Sequence, residues 1–160
     1  MKQTDTRPTL NRRQLAVGAA AVATLSLLPA APALAQQQPE PKAWEAMVKK
    51  ILGDAKPTEG KVVIDMAEIA ENGNTVPFTL SVDSPMTDKD YVKAIHLIST
   101  ANPAPNVVTF RFTPMAGVAK AESRMRLVGT QDVIAIAELS DGKFLMSRRP
   151  VKVTVGGCGG

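Results

Sequence analysis

From Val76 to Val82 every second side chain is large and apolar: Val76, Phe78, Leu80, Val82, with Pro77, Thr79 and Ser81 between them. Successive side chains of a strand point to opposite faces, so this period of two describes a strand with one buried face and cannot give a helix an apolar stripe. The same alternation returns downstream. Val108, Phe110 and Phe112 oppose Thr109, Arg111 and Thr113, and Val151, Val153 and Val155 alternate near the end. In "VAKAESRMRLVG", Ala119, Ala121, Ser123, Met125 and Leu127 oppose Lys120, Glu122, Arg124 and Arg126. A chain built from such segments must pair them into sheets and cover one face of each.

"KVVIDMAEIAENGNTVPFTLSVD" holds two extended stretches around the turn Asn72-Gly73-Asn74. "YVKAIHLIST" reads as a strand with Val92, Ala94, His96 and Ile98 on one face and Tyr91, Ile95 and Leu97 on the other. "ANPAPN" is a loop, because Pro103 and Pro105 cannot donate to a ladder. "DVIAIAEL" is a largely apolar run, and Asp141-Gly142 marks a hairpin turn. One segment has the other period. Trp44, Met47, Val48, Ile51 and Leu52 share a helix face, with Pro41 placed to start that helix and Gly53 to end it. Trp44 is expected to anchor the helix on the domain. Seven or eight short strands with almost no helix after Gly53 predict an all-β, immunoglobulin-like antiparallel sandwich behind a short N-terminal amphipathic helix.

The first residues read differently. Arg12-Arg13 precede an apolar stretch from Leu15 to Leu28, and Ala33-Leu34-Ala35 offers small residues where a signal peptidase reads. This is the pattern of an export signal of the twin-arginine type, which predicts a periplasmic mature protein with no membrane segment. The expected organisation is a cleaved signal over 1–35, a polar lead-in and helix over 36–56, a β-domain over 57–155 and a terminal arm over 156–160. The chain's formal charge of +4 belongs mostly to the signal, for 15 basic and 14 acidic residues follow residue 35. No basic stripe is left to bind nucleic acid.

Export sharpens the meaning of the terminal "VTVGGCGG". Cys158 is the only cysteine, so no internal disulfide can form, and an odd thiol in an oxidising compartment signals intermolecular pairing or a reactive group. Gly156 and Gly157 precede it, and Gly159 and Gly160 follow it. Glycine samples both signs of φ, so the four form a hinged arm with one protruding side chain. Such an arm can enter a narrow slot in another protein. Nothing near Cys158 in sequence supplies a base or a positive charge, so the thiol is expected to be activated by a partner. A thiol redox enzyme would want a resolving cysteine or an adjacent base. A ubiquitin-like use of Gly159-Gly160 would leave Cys158 without a task. A disulfide-linked homodimer through Cys158 is a further use of the same thiol.

The tail, the export signal and the β-rich body together resemble the SoxY family, sulfur-carrying subunits of the periplasmic thiosulfate-oxidising Sox system. "IAENGNTVP", "NPAPNVVTFRFTP" and "SRMRLVGTQDVIAIAELSDG" also look like body segments of that family. The resemblance implies an immunoglobulin-like sandwich that pairs with SoxZ and bears sulfur on Cys158, with Gly156, Gly157, Gly159 and Gly160 as arm residues. It implies that haem-containing SoxAX joins thiosulfate oxidatively to this sulfur, that SoxB hydrolyses off sulfate to leave a persulfide, and that SoxCD, where present, oxidises the outer sulfur. By the same resemblance the chain is a carrier and not an enzyme, with no cofactor or metal of its own.

Other residues carry weaker signals. His96 reads as a strand residue facing the domain or a partner. Arg124 and Arg126 share a strand face that is either solvated or in contact with SoxZ or an enzyme. Met115, Met125 and Met146 read as core filler, as do Phe110 and Phe112.

Overall fold

The computed structural model describes residues 43–157, and the twin-arginine segment, Pro41 and the terminal Cys158, Gly159 and Gly160 lie outside the described residues. One helix, α1 (Ala43–Leu52), precedes nine strands: β1 (Thr58–Glu59), β2 (Val62–Met66), β3 (Ile69–Asn72), β4 (Val76–Val82), β5 (Val92–Ser99), β6 (Asn106–Arg111), β7 (Ala119–Met125), β8 (Gln131–Leu139) and β9 (Phe144–Val155). A short 3-10 turn, Pro114–Ala116, joins β6 to β7. The strands form two sheets. The larger runs β1-β9-β8-β5-β6, with β3 also paired to β9, and the smaller runs β2-β4-β7. Their inner faces bury one core of Leu80, Leu97, Val133, Val151, Met125 and their neighbours. The predicted sandwich is the observed architecture.

Alternation explains most of it. β4 buries Val76, Phe78, Leu80 and Val82 and turns the residues between them outward. Phe110 packs on Phe78 with ring centroids 6.4 Å apart and planes tilted by 58°, a favourable aromatic arrangement. The apolar run of β8 is covered on both faces. Val133, Ala135 and Ala137 join the inner core, whereas Ile134 and Ile136 join Ile98 under α1. Trp44, Met47, Val48, Ile51 and Leu52 close that second cluster, as the helical spacing predicts. Arg148 lies over the Trp44 ring, 5.4 Å from its centroid. Gly53 ends the helix at φ +59, its N–H donating to the Lys49 carbonyl.

Three details depart from the sequence reading. The stretch before Asn72-Gly73-Asn74 is not one strand. β2 pairs antiparallel with β4, but the chain then leaves that sheet, and β3 runs parallel to β9 in the other. The Asn-Gly-Asn turn is therefore a crossover between sheets. In β5 a bulge between Val92 and Ala94 changes the parity, so Val92 joins Ile95 and Leu97 in the inner core instead of sharing a face with His96. Met115 is not core: it stands 97% exposed on the 3-10 turn, while Met125 is buried and Met146 packs beneath α1.

Candidate functional site

The last strand delivers the chain to one end of the sandwich, where the turn at Gly73 and the β7–β8 loop meet it. Three backbone hydrogen bonds tie these segments together. Gly73 N–H donates to the Val155 carbonyl at 2.8 Å, Leu127 N–H to the Gly73 carbonyl at 2.7 Å, and Gly157 N–H to the Leu127 carbonyl at 2.8 Å. Gly73 is held in its turn by the Asn72 side chain, whose Oδ1 accepts from Asn74 N–H at 2.9 Å.

The contacts leave no room for side chains. A Cβ on Gly73 would collide with the Leu127 carbonyl oxygen and lie 2.7 Å from the Gly157 nitrogen. A Cβ on Gly156 would collide with the Val128 carbonyl oxygen. One on Gly157 would fall 2.7 Å from Arg126 Cγ and 2.8 Å from the Gly73 carbonyl oxygen. Gly157 is buried and Gly156 exposed. Close approach of backbone, not a positive φ, is what excludes a side chain at Gly156 and Gly157 here.

A polar frame behind this cradle fixes the β7–β8 loop. Asn102 Nδ2 donates to the Arg126 carbonyl at 2.7 Å, and Asn102 Oδ1 accepts from Val128 N–H at 3.2 Å and from Gln131 Nε2 at 3.0 Å. Gln131 is itself buried, with Oε1 accepting from Ala101 N–H at 2.9 Å and Nε2 also donating to the Gly129 carbonyl at 3.2 Å. Buried polar groups satisfied in this way hold a loop in one arrangement. Asn102 and Gln131 carried no signal in the sequence beyond a proline-flanked loop and the start of an apolar run.

Of the charged residues singled out, Arg126 is at the cradle and Arg124 is not. Arg124 lines an open groove of about 520 Å³ over the small sheet with Asp65, Thr79 and Glu122. His96 is half-buried on the outer face of β5, between Ile136 of β8 and Thr109 of β6, with Nδ1 3.0 Å from Thr109 Oγ1. Burial lowers its pKa from 6.5, Glu138 opposes that shift and Arg111 reinforces it. It sits away from the cradle, across β8 from β9. Among the described residues no three His, Cys, Asp or Glu side chains gather into a metal site, and no helix is long and apolar enough to cross a membrane.

The family model of the sulfur oxidation protein SoxY matches residues 48–158. The chain belongs to the SoxY family. The match begins inside the helix at Val48, covers both sheets and the cradle, and runs to Cys158. Among solved structures, the sulfur carrier protein SoxY from Chlorobium limicola f thiosulfatophilum is 28% identical with a TM-score of 0.59, over 69% of this chain and 96% of that one. A superoxide reductase (neelaredoxin) from Ignicoccus hospitalis superposes with a TM-score of 0.53 at 16% identity, over 59% of this chain and 80% of that one. A superoxide reductase from Nanoarchaeum equitans does so at 0.50 and 15%, over 59% and 98%. These two likenesses are of fold alone. No curated protein matches the sequence. The three SoxY-like body segments contain Gly73, Asn102 and the Arg126–Gln131 loop, which the fold brings together at the root of the tail.

Proposed function

We propose that this SoxY-family chain is a covalent sulfur carrier of thiosulfate oxidation, with Cys158 as the attachment site. The observation that carries the reading is the family match ending on that cysteine, together with 28% identity to a protein described as a sulfur carrier. The carrier reading also gives the lone thiol a task that neither packing nor an internal disulfide supplies.

In this reading the Cys158 thiolate and thiosulfate lose two electrons to haem-containing SoxAX and become joined through a new S–S bond, giving Cys–S–S–SO₃⁻. Water then attacks the terminal sulfur in SoxB. Sulfate leaves with two protons released, and the persulfide Cys–S–S⁻ remains on the arm. SoxCD, where present, oxidises that outer sulfur further. Gly159 and Gly160 put no side chain next to the sulfur, so the arm can enter each partner's site. The body pairs with SoxZ, and the pair works in the periplasm after twin-arginine export. The chain supplies the attachment atom and the partners supply activation.

Intact mass spectrometry tests the reading on protein exported by cells grown with and without thiosulfate and purified without reductant. The expected result is a reducible sulfur-containing adduct on the C-terminal peptide only when thiosulfate is present. A bare thiol under both conditions, or only a Cys158–Cys158 disulfide, would overturn it in favour of a structural dimer.

A further inference from the structure

The large sheet ends at β6, and among the described residues nothing pairs with the outer edge of that strand. Antiparallel alternation tells which backbone groups are left there. Phe112 N–H donates to the Lys93 carbonyl and Ser99 N–H to the Pro105 carbonyl, so the odd-numbered residues of β5 turn their backbone groups toward β6. Phe110 and Val108 stand opposite Ile95 and Leu97 in the same row, and their N–H and C=O groups turn inward to β5. The N–H and C=O groups of Thr109 and Arg111 therefore turn outward.

An edge strand with free backbone groups is a template for another strand, and proteins guard such edges with charge, brevity or bulges. The other edges of this fold are guarded. β7 carries Lys120, Glu122 and Arg124, β2 carries Asp65, β1 has two residues, and β3 has four with Glu71 among them. β6 has no charge from Asn106 to Phe110, and its one irregularity, the register shift opposite Leu97 and Ile98, lies at its N-terminal end. Val108, Phe110 and Phe112 pack on the inner core yet stay only partly covered.

We propose that β6 is a self-pairing edge: two copies of this chain join their large sheets through it, antiparallel about a two-fold axis at Thr109. The pairing goes beyond the carrier reading and does not depend on it. β6 matches itself in this register. Thr109 faces Thr109, so the outward N–H and C=O of each copy find a partner. Val108 of each copy faces Phe110 of the other on the core side, an aromatic to β-branched pair that stabilises a sheet. Arg111 faces Val107, which keeps the two guanidinium groups apart. Beyond the strand, the same register carries Met115, 97% exposed on its turn, toward the exposed Pro103 of the other copy. β6 begins just after the Asn102 frame, so antiparallel pairing sends the two cradles to opposite ends and leaves both clear.

The test is sedimentation of the chain exported by cells that make no other Sox chain, kept in reductant so that no disulfide joins copies. The expected result is an average mass that climbs from the monomer toward twice that value as concentration rises. Thr109→Lys sets two like charges face to face on the axis and is expected to weaken the dimer by about tenfold or more. Thr154→Lys, at an exposed position of β9, should leave it unchanged. Hydrogen exchange reads the contact in the unaltered chain. The Thr109 and Arg111 amides should gain protection as the dimer forms, while the Phe110 amide is protected at every concentration. A monomer at every concentration, or a dimer that leaves those two amides exposed or ignores Thr109→Lys, would overturn the proposal. Protection of both amides in a monomer, or only when SoxZ is added, would give the edge another occupant and overturn self-pairing as well.

Discussion

Gly73 and Gly157 meet backbone to backbone: a Cβ on the first would lie 2.7 Å from the nitrogen of the second, and a Cβ on the second 2.8 Å from the carbonyl oxygen of the first. The contact joins the crossover between the sheets to the root of the arm. The two positions should respond differently to the same substitution. Gly73→Ala forces backbone apart inside the fold and should cost about 1–3 kcal/mol in chemical denaturation. Gly157→Ala can relieve its clash by releasing the tail, so its cost should stay near the single hydrogen bond lost, about 1 kcal/mol. Hydrogen exchange at the residue 157 amide should be slow in the wild type and fast in Gly157→Ala. Equal loss of stability in both variants would show that the arm's root is part of the cooperative fold.

The frame behind the cradle predicts a second effect. Asn102→Ala removes the partners of the Arg126 carbonyl, the Val128 N–H and the Gln131 amide together. The expected cost is about 1–3 kcal/mol. Its distinguishing mark is remote: the Gly157 amide, which Asn102 does not touch, should exchange faster, because Leu127 loses its fixed place. Protection unchanged at Gly157 would mean the loop holds without Asn102.

Local pattern made some of this legible. The period of two in β4 needs only neighbours in sequence, and so does the helix face of Trp44. What the sequence hides is where a strand changes allegiance. Nothing in Met66-Ala67-Glu68-Ile69 announces that the chain leaves one sheet and joins the other in parallel. The bulge after Val92 is equally silent, and it put Val92 on the wrong face. Met115 looked like filler because hydropathy ignores whether a turn carries the residue outward. At the tail, the four glycines read as freedom. For Gly156 and Gly157 the fold adds a second reason for glycine, close contact with Val128, Gly73 and Arg126, residues far away in sequence.

Trp44 is the only tryptophan and lies in the outer cluster, so its fluorescence reports on helix docking alone. Ile98, Ile134 and Ile136 sit in strands whose opposite faces build the inner core, which couples the two clusters. Unfolding followed by Trp44 fluorescence should therefore coincide with unfolding followed by far-ultraviolet circular dichroism. Replacing Ile136 with Ala should cost about 2–5 kcal/mol and shift both signals together. A fluorescence transition that comes first would make α1 a separately melting lid.

His96 gives the stability a pH dependence whose sign follows from its burial. Its folded pKa lies below 6.5, so the unfolded chain binds the proton more readily. The contribution of the neutral ring is fully present above about pH 6.5 and is lost as pH falls from there toward the folded pKa. Comparing wild type with His96→Gln in denaturation at pH 7.5 and pH 5 isolates it. The wild type should lose more stability on acidification than the variant. An equal loss would place the acid sensitivity elsewhere.

Cys158→Ser separates the proposed cargo site from the contacts that hold the tail's root. Among the described residues the cradle is held by the backbone of Gly73, Leu127, Val155 and Gly157, with Asn102 and Gln131 behind. These bonds do not need a side chain beyond Gly157, so serine should leave the unfolding midpoint unchanged and the Gly157 amide protected. In the carrier reading the variant still pairs with SoxZ, since that contact belongs to the body, but it shows no thiosulfate-dependent adduct by intact mass. A hydroxyl cannot take the place of the thiolate in forming the S–S bond. Loss of the fold or of the SoxZ pair in Cys158→Ser would make the cysteine structural, and the carrier chemistry would then have no residue on this chain to bear it.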